Sequence, residues 1–395
     1  MLQQTTRFLT KYAVPHISAL NNYIFSFLIT NIPIYNNQNV TPRQIHLPIN
    51  ILTDIDIDKE IYYHSRCNTI KEPKKMEFSL APMEGITGYV TRNAFHHNFD
   101  YIDKYYTPFI PAAKKMSKKI LRDINPENNK GINLIPQIMS NRVDEVLDMG
   151  NQLKAYGYTS MNINFGCPSG TVVGKKRGSG FLTVPDELDK FLDELYSKTD
   201  MAISIKTRIG FNSEDEWANI LDIYSKYPIP VLIIHPRIQK DFYKNVPRLD
   251  AFAMATQKID SSKTKLCYNG DITNTAYFNN LQQLFPDIDA YMIGRGLYAY
   301  PGLIPHLDTT RQNKSTKSDY KVRLRAFHDE IINGYLDDFS SAKDAMFHMK
   351  EIWSFLRNSF KDSDKYWKKI RKCQTLDEYN IIVNAIFNEC QLHEL

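Results

Sequence analysis

From residue 78 onward, short apolar runs alternate with longer amphipathic segments. The runs are Phe78–Ala81, Tyr101–Tyr105, Leu134–Ile138, Ser160–Asn164, Ala202–Lys206, Val231–His235, Lys265–Asn269 and Tyr291–Gly294. Their β-branched and aliphatic content predicts strands. Between them, Val143, Val146, Leu147, Met149 and Leu153 share one helical face, and so do Leu188, Phe191, Leu192 and Leu195. Eight such units predict an α/β chain, a (β/α)8 TIM barrel over residues 76–312. A doubly wound sheet would have fewer strands and an early glycine-rich turn. Beyond about residue 315 the period is helical throughout: Phe327, Ile331, Ile332 and Tyr335, then Met346, Met349, Ile352, Trp353 and Leu356, then Tyr379, Ile382 and Ile386. A C-terminal helical bundle domain over 313–395 is expected.

Residues 1–75 read differently. All 16 glycines lie at or after Gly85, and the first 75 residues are rich in Asn, Ile, Tyr and Gln. A basic junction, Lys71-Glu72-Pro73-Lys74-Lys75, closes this stretch. It is expected to be an N-terminal extension of unknown role: an appendage, sequence translated ahead of the natural start, or a small added domain. Elsewhere composition mainly excludes. A net charge of +5 is too small to announce a polyanion partner, so any such partner needs a local patch. Cysteines 67, 167, 267, 373 and 390 are odd in number and unpaired in spacing. That pattern argues against a disulfide framework or a zinc site and suits a reducing compartment; no metal is expected. The most apolar early stretch, Tyr23 to Tyr35, is too short and too interrupted to span a bilayer. A cytoplasmic monomer without membrane attachment is expected.

In a barrel, active groups cluster where strands end. Gln137 lies near the third strand end, and Asn164 and Cys167 follow the fourth. Lys206 with Arg208 close the fifth, and His235 with Arg237 the sixth. Asn269-Gly270-Asp271 and Gly294-Arg295-Gly296 follow the last two. Cys167 sits in Asn164-Phe165-Gly166-Cys167-Pro168, where a thiol on a Gly-Pro turn suits an acid or a nucleophile. Taken alone, the pentapeptide fits a buried structural thiol equally well. The glycines after the last two strands let backbone approach an anion, and Arg295 adds charge, which points to a phosphate site. Lys206 can stabilise negative charge on a reduced ring, Gln137 can bond a ring edge, and Met83 after Pro82 offers a soft platform. Together these suggest FMN in the barrel mouth.

With these motifs assembled, the chain resembles the tRNA-dihydrouridine synthase family. The resemblance runs through Leu80-Ala81-Pro82-Met83-Glu84-Gly85-Ile86-Thr87, Gln137-Ile138-Met139, Asn162 to Pro168, Lys206-Thr207-Arg208-Ile209-Gly210, His235-Pro236-Arg237, Asn269-Gly270-Asp271 and Met292 to Gly296, in the family's order. It covers about residues 78–303, and the tail around Lys350–Leu356 resembles that family's tRNA-binding domain. The resemblance implies reduction of the uracil C5–C6 bond in tRNA by FMN, itself reduced by NADPH or NADH. It implies Cys167 as proton donor at C5 and Asn164 as the residue that orients or polarises the uracil. It implies FMN contacts from Pro82, Met83, Glu84, Gln137, Lys206, His235, Asn269, Gly270, Asp271, Gly294 and Arg295, with Arg237 shared with the substrate. Pro236 stands where many members have Gly, and residues 1–75 match nothing in the family pattern.

For tRNA contact the sequence offers Lys175, Lys176 and Arg177 beside Cys167, and Lys114, Lys115, Lys118 and Lys119 after the second strand. It also offers Lys368 and Lys369 within a basic run interleaved with Tyr366 and Trp367, which reads as phosphate contact with aromatic stacking, or as a solvated helix face. Two rival functions are a flavin barrel acting on a free pyrimidine, similar to dihydroorotate dehydrogenase, and a non-catalytic RNA-binding barrel.

Overall fold

The computed structural model describes residues 75–311 and 317–394. The expected extension over 1–75 lies outside the described residues apart from Lys75.

Ten short strands form one sheet in which every pairing is parallel. They are β1 (Glu77–Leu80), β2 (Lys104–Tyr106), β3 (Ile110–Pro111), β4 (Leu134–Ile135), β5 (Gln137–Met139), β6 (Ser160–Phe165), β7 (Ala202–Gly210), β8 (Val231–Ile238), β9 (Lys265–Tyr268) and β10 (Ala290–Ile293). The order is β3-β5-β6-β7-β8-β9-β10-β1-β2-β4. β4 and β5 are halves of one strand on either side of Pro136, so the order closes into a ring of eight staves. Proline has no amide proton to give the ladder. The sequence reads Leu134–Ile138 as one strand; the structure divides it at Pro136. β4 then pairs with β2 while β5 pairs with β6. The barrel expectation is met.

Two strands run further than their apolar cores predict. β7 continues through Thr207-Arg208-Ile209-Gly210 and β8 through Pro236-Arg237-Ile238. Lys206, Arg208, His235 and Arg237 therefore sit inside the ladder, with Arg208 opposite His235, and do not close their strands as expected. In β8 the polar His235 and Arg237 still alternate with buried Ile234, Pro236 and Ile238, as a strand requires.

The helices α1 (Tyr89–Asn98), α2 (Lys118–Ile124), α3 (Val143–Lys154), α4 (Gly170–Val173), α5 (Pro185–Lys198), α6 (Glu216–Tyr224), α7 (Leu249–Lys258), α8 (Thr275–Leu284), α9 (Arg295–Ala299) and α10 (Ile304–Leu307) belong to the barrel part of the chain. Four more follow: α11 (Lys317–Asp338), α12 (Ala342–Leu356), α13 (Asp364–Ile370) and α14 (Leu376–Glu389). Good caps start the last long ones. Ser341 accepts from the Asp344 amide before α12, and Thr375 with Glu378 forms a capping box before α14. One contiguous apolar core runs from the barrel helices into this tail. Phe327 of α11 packs on Phe95 and Phe99, with ring centroids 4.7 and 5.7 Å apart. Gly334 lets α11 approach α1, since a Cβ there would meet Val90 at 2.7 Å. A second, small cluster of Ala81, Tyr106, Ile233, Cys267, Ala290 and Met292 is buried apart from that core, among strand residues.

Among the described residues, no helix is long and apolar enough to cross a membrane. No group of three or more His, Cys, Asp or Glu side chains that could hold a metal ion is found among them either.

Candidate active site

A buried amide ladder links three staves. Gln137 donates to the Asn162 carbonyl oxygen at 2.8 Å, and Asn162 donates to the Ser204 hydroxyl at 2.9 Å. Asn164 donates to the other end of Gln137 at 2.7 Å. Gln137 is 0% exposed, with both ends of its amide engaged. Buried amides held this way fix their neighbours, because an unpaired one would cost about 1–3 kcal/mol.

The ladder ends on the cysteine turn. The Asn164 side-chain oxygen accepts from the backbone amides of both Gly166 and Cys167, each at 2.9 Å. From the other side, the Ser179 amide and hydroxyl donate to the Cys167 carbonyl at 3.1 and 2.8 Å. Gly178 makes that approach feasible. Its φ is +55°, and a Cβ there would meet the Cys167 oxygen at 2.8 Å. The turn is thus held by its backbone, and the half-buried thiol is left for other use. Burial pushes the thiol above its ordinary pKa; the Ser169 amide opposes this and the Glu84 carboxylate adds to it. Cys167 is accordingly a protonated thiol at neutral pH.

Arg208, expected with Lys206 at the barrel mouth but given no role, organises the rim. Its guanidinium donates to the carbonyls of Gly166 (2.9 Å), Ile238 (2.8 Å) and Phe242 (2.8 Å). It therefore ties the cysteine turn to the loop after β8. That loop is closed in turn by the buried Asp241, which accepts from Arg248, Asn245 and the Ile238 amide. Burial raises the Asp241 pKa, but the bonds from Arg248 and Asn245 outweigh it and hold the carboxyl below its usual range. Asp241, four residues beyond Arg237, stood outside the motifs and carried no sequence signal; Arg208 stood inside one.

Beside the turn, Asn164 and Lys206 are register neighbours on β6 and β7. Burial, with help from Arg208, pushes the Lys206 ammonium down to about 8. Among the described residues no hydrogen bond or ion pair engages it. Lys206 lines a cavity of about 80 Å3 together with Pro82, Met83, His235, Asn269, Gly270, Asp271, Gly294 and Arg295. Two glycines shape its wall. A Cβ on Gly294 would meet Ala81 at 3.3 Å and Met83 at 3.5 Å, and one on Gly270 would meet the Tyr268 hydroxyl at 2.9 Å. At the rim Asp271, with φ +43°, bridges Arg237 and Arg295. Burial pushes the Asp271 carboxyl up, but the bond from Arg237 and the charges of both arginines hold it below its ordinary range. Burial and the surrounding cations, Arg208 and Lys206 foremost, hold His235 well below its usual pKa. Its neutral ring accepts from Arg237 at 3.0 Å. Tyr243 lies over this group, its ring 4.8 Å from the Arg295 guanidinium and 6.0 Å from the His235 ring.

Glu84 does not line that cavity. It turns to a second one, described below. Among the basic residues beside Cys167, Arg177 is held by Glu145 at 2.7 Å and Lys176 reaches Glu187 at 3.3 Å, while Lys175 is exposed. Lys368 and Lys369 are exposed at the end of α13. The stacking expected of Tyr366 is corrected by its burial. It is 4% exposed, with its hydroxyl bound to Glu389, because α13 turns this face into the tail's core.

The family model described as Dihydrouridine synthase (Dus) matches residues 79–391 of this chain. The chain belongs to the dihydrouridine synthase family. Among curated relatives, it is 26% identical over 273 residues to a probable tRNA-dihydrouridine synthase of Staphylococcus aureus (strain Mu50), covering 66% of this chain and 79% of the relative. It is 25% identical over 245 residues to probable tRNA-dihydrouridine synthase 2 of Bacillus subtilis (strain 168), covering 59% and 73%. Among solved structures, TcOYE with pHBA superposes with a TM-score of 0.44 at 9% identity, covering 66% of this chain and 98% of that one. The family match spans both the barrel and the four tail helices.

Proposed function

We propose that this dihydrouridine synthase family member reduces the C5–C6 double bond of uridine in tRNA, using FMN and a nicotinamide cofactor, NADPH or NADH. The observation that carries the reading is the pairing of a protonated, half-buried thiol at Cys167 with an unpartnered ammonium at Lys206, beside a cavity floored by glycine.

The residues fit a flavin mononucleotide. A Cβ on Gly294 would stand against Ala81 and Met83, both of which line the cavity, so glycine there keeps it open, and Arg295 offers charge for a phosphate. Met83, Lys206, His235 and Asn269 would hold the remainder. When bound, FMN supplies the hydride for uracil C6, having taken it from the nicotinamide cofactor.

The protein's own part is positioning and proton delivery. Asn164 presents the cysteine turn in one geometry. Cys167 then gives its S–H proton to C5 as negative charge develops there, and the thiolate recovers a proton from solvent. A uridine inside a folded tRNA must leave its stack to reach the thiol, as for other enzymes acting on a base. Lys175, Lys176, Lys368 and Lys369 would meet phosphates, and Arg177 would order the loop through Glu145. The tail over 313–395 would serve as the tRNA-binding domain of a soluble monomer.

The test is direct. The purified full chain should show a flavin absorption band and form dihydrouridine in tRNA with NADPH. A colourless protein would overturn the cofactor assignment. Reduction of free uracil or orotate with no activity on tRNA would overturn the substrate.

A further inference from the structure

A second cavity, of about 280 Å3, lies between the β1–α1 loop, the β3–α2 segment and tail helices α11 and α12. It is larger than the first and takes no part in the chemistry above.

One wall is aromatic. The rings of Phe339 and His348 stack at 4.7 Å and 9°, and Tyr335 lies 5.4 Å from His348. His348 is pinned by donating to the Gly85 carbonyl at 2.9 Å. Phe347, 62% exposed, meets the His348 ring edge-on at 6.0 Å. Stacked rings beside an exposed one form a platform that unpaired bases use.

The cavity's other groups are polar, and most of them are already spent. Asp338 accepts from the Tyr89 hydroxyl (2.7 Å) and from Arg122 (2.9 Å). Asp123 accepts from the Tyr89 amide (2.7 Å) and from Arg92 (3.3 Å). Among the described residues no hydrogen bond engages Glu84; burial raises its pKa and the nearby Lys119 charge opposes this, so a carboxyl and an ammonium face this cavity together. The lysine stretch adds charge. Lys114, Lys115, Lys118 and Lys119 are all exposed, and none has a hydrogen bond or ion pair among the described residues. Lys119 lines the cavity itself. Lys119 on the cavity wall, with three more exposed lysines in the same short stretch, suits a base that carries its phosphate.

Successive residues of the β1–α1 loop serve the two cavities. Met83 lines the first and Glu84 the second, and consecutive Cα atoms are only about 3.8 Å apart. Glu84 is also close enough to the Cys167 thiol to raise its pKa.

We propose that this second cavity receives the base of the nucleotide next to the reduced uridine, stacked on the Phe339–His348 wall, with its phosphate on the Lys114–Lys119 stretch. The inference rests on the tRNA-reductase reading and adds a determinant of which uridine is chosen. A flanking base seated here would hold its neighbour at the thiol.

The experiment first uses the unaltered, flavin-loaded enzyme. The modified uridine is mapped in a transcript, and then the nucleotide on its 5′ or 3′ side is replaced by an abasic ribose. One of the two replacements should raise KM at least about 10-fold, the range of a lost base–aromatic stack. In the same assay, Ile120→Trp, which fills the cavity, should raise KM on the intact transcript. It should also make the enzyme indifferent to the abasic change, a coupling that only a shared site produces. Flavin content, read on each preparation, reports folding. Should Ile120→Trp lose its flavin, Lys119→Glu takes its place in the cycle. Reduction of tRNA that ignores both abasic replacements overturns this inference and leaves the main reading intact. No reduction of any tRNA overturns the main reading itself.

Discussion

The side-chain oxygen of Asn164 accepts hydrogen bonds from the backbone amides of Gly166 and Cys167, both at 2.9 Å. The same side chain donates to Gln137 at 2.7 Å, so its amide is committed on both sides. This places Asn164 beneath the thiol as the residue that sets its turn. Asn164→Ala leaves two donors and the Gln137 oxygen without partners. The expected result is a fall in kcat on tRNA of about 10- to 100-fold with flavin content kept. Alkylation of Cys167 should become faster as the turn loosens. Unchanged alkylation and kcat would reject the positioning role.

Cys167→Ala should keep the flavin and lose at least about 100-fold in kcat on tRNA, the usual scale of general acid catalysis. The pH profile carries the sign. The acid form is the thiol, so activity is present at neutral pH and falls as pH rises through the thiol's pKa. Burial raises that pKa, so the alkaline limb should lie above the ordinary thiol range. Glu84→Gln removes a charge that raises it further and should shift the limb downward.

The motifs of the site were legible because each pairs a reactive residue with a glycine or proline that fixes the backbone. Asn164 to Pro168 and Gly294-Arg295-Gly296 announced a site before any coordinate. What each amide would bond was not legible. Gln137 and Asn164 read as ring and base contacts, yet they bond each other and the cysteine turn. A hydrogen-bond partner across the barrel has no trace in local sequence.

Lys206 supplies a second pH dependence. Its ammonium titrates at about 8, so the cation is lost as pH rises through that value. An anionic group bound beside it favours the charged form. FMN binding should therefore weaken up to tenfold per pH unit above about 8, as titration of released apoprotein with FMN would show. Lys206→Met should bind more weakly at pH 7 and lose the slope.

Arg208→Ala removes donors from three rim carbonyls at once. A loss of about 3 kcal/mol in unfolding free energy is expected, read as a lower urea midpoint at unchanged m. The flavin should be lost at lower urea than in the unaltered chain, since both the cysteine turn and the β8 loop are released.

Charge reversal at Lys368 and Lys369 should raise the Kd for tRNA and lower the salt slope by about 1 to 2, because both side chains are exposed and free of acidic partners. Arg177→Ala should act differently. It breaks the pair with Glu145, so it should loosen the loop with little change in salt slope.

The chain's hydrophobic period determined the architecture: eight apolar staves, helices between them and a helical tail, because the period of a segment dictates which faces it can bury. The residues at the barrel mouth followed from that topology. Tertiary structure alone decided how polar groups were divided among them. It spent Gln137, Asn164 and Arg208 on holding the turn, left the Lys206 ammonium without a hydrogen-bond partner among the described residues, and turned Glu84 toward a second cavity. The reason is distance in sequence. Burial follows local periodicity, but a buried donor is satisfied by whichever acceptor the closed barrel brings within about 3 Å, and those partners come from strands far apart in the chain.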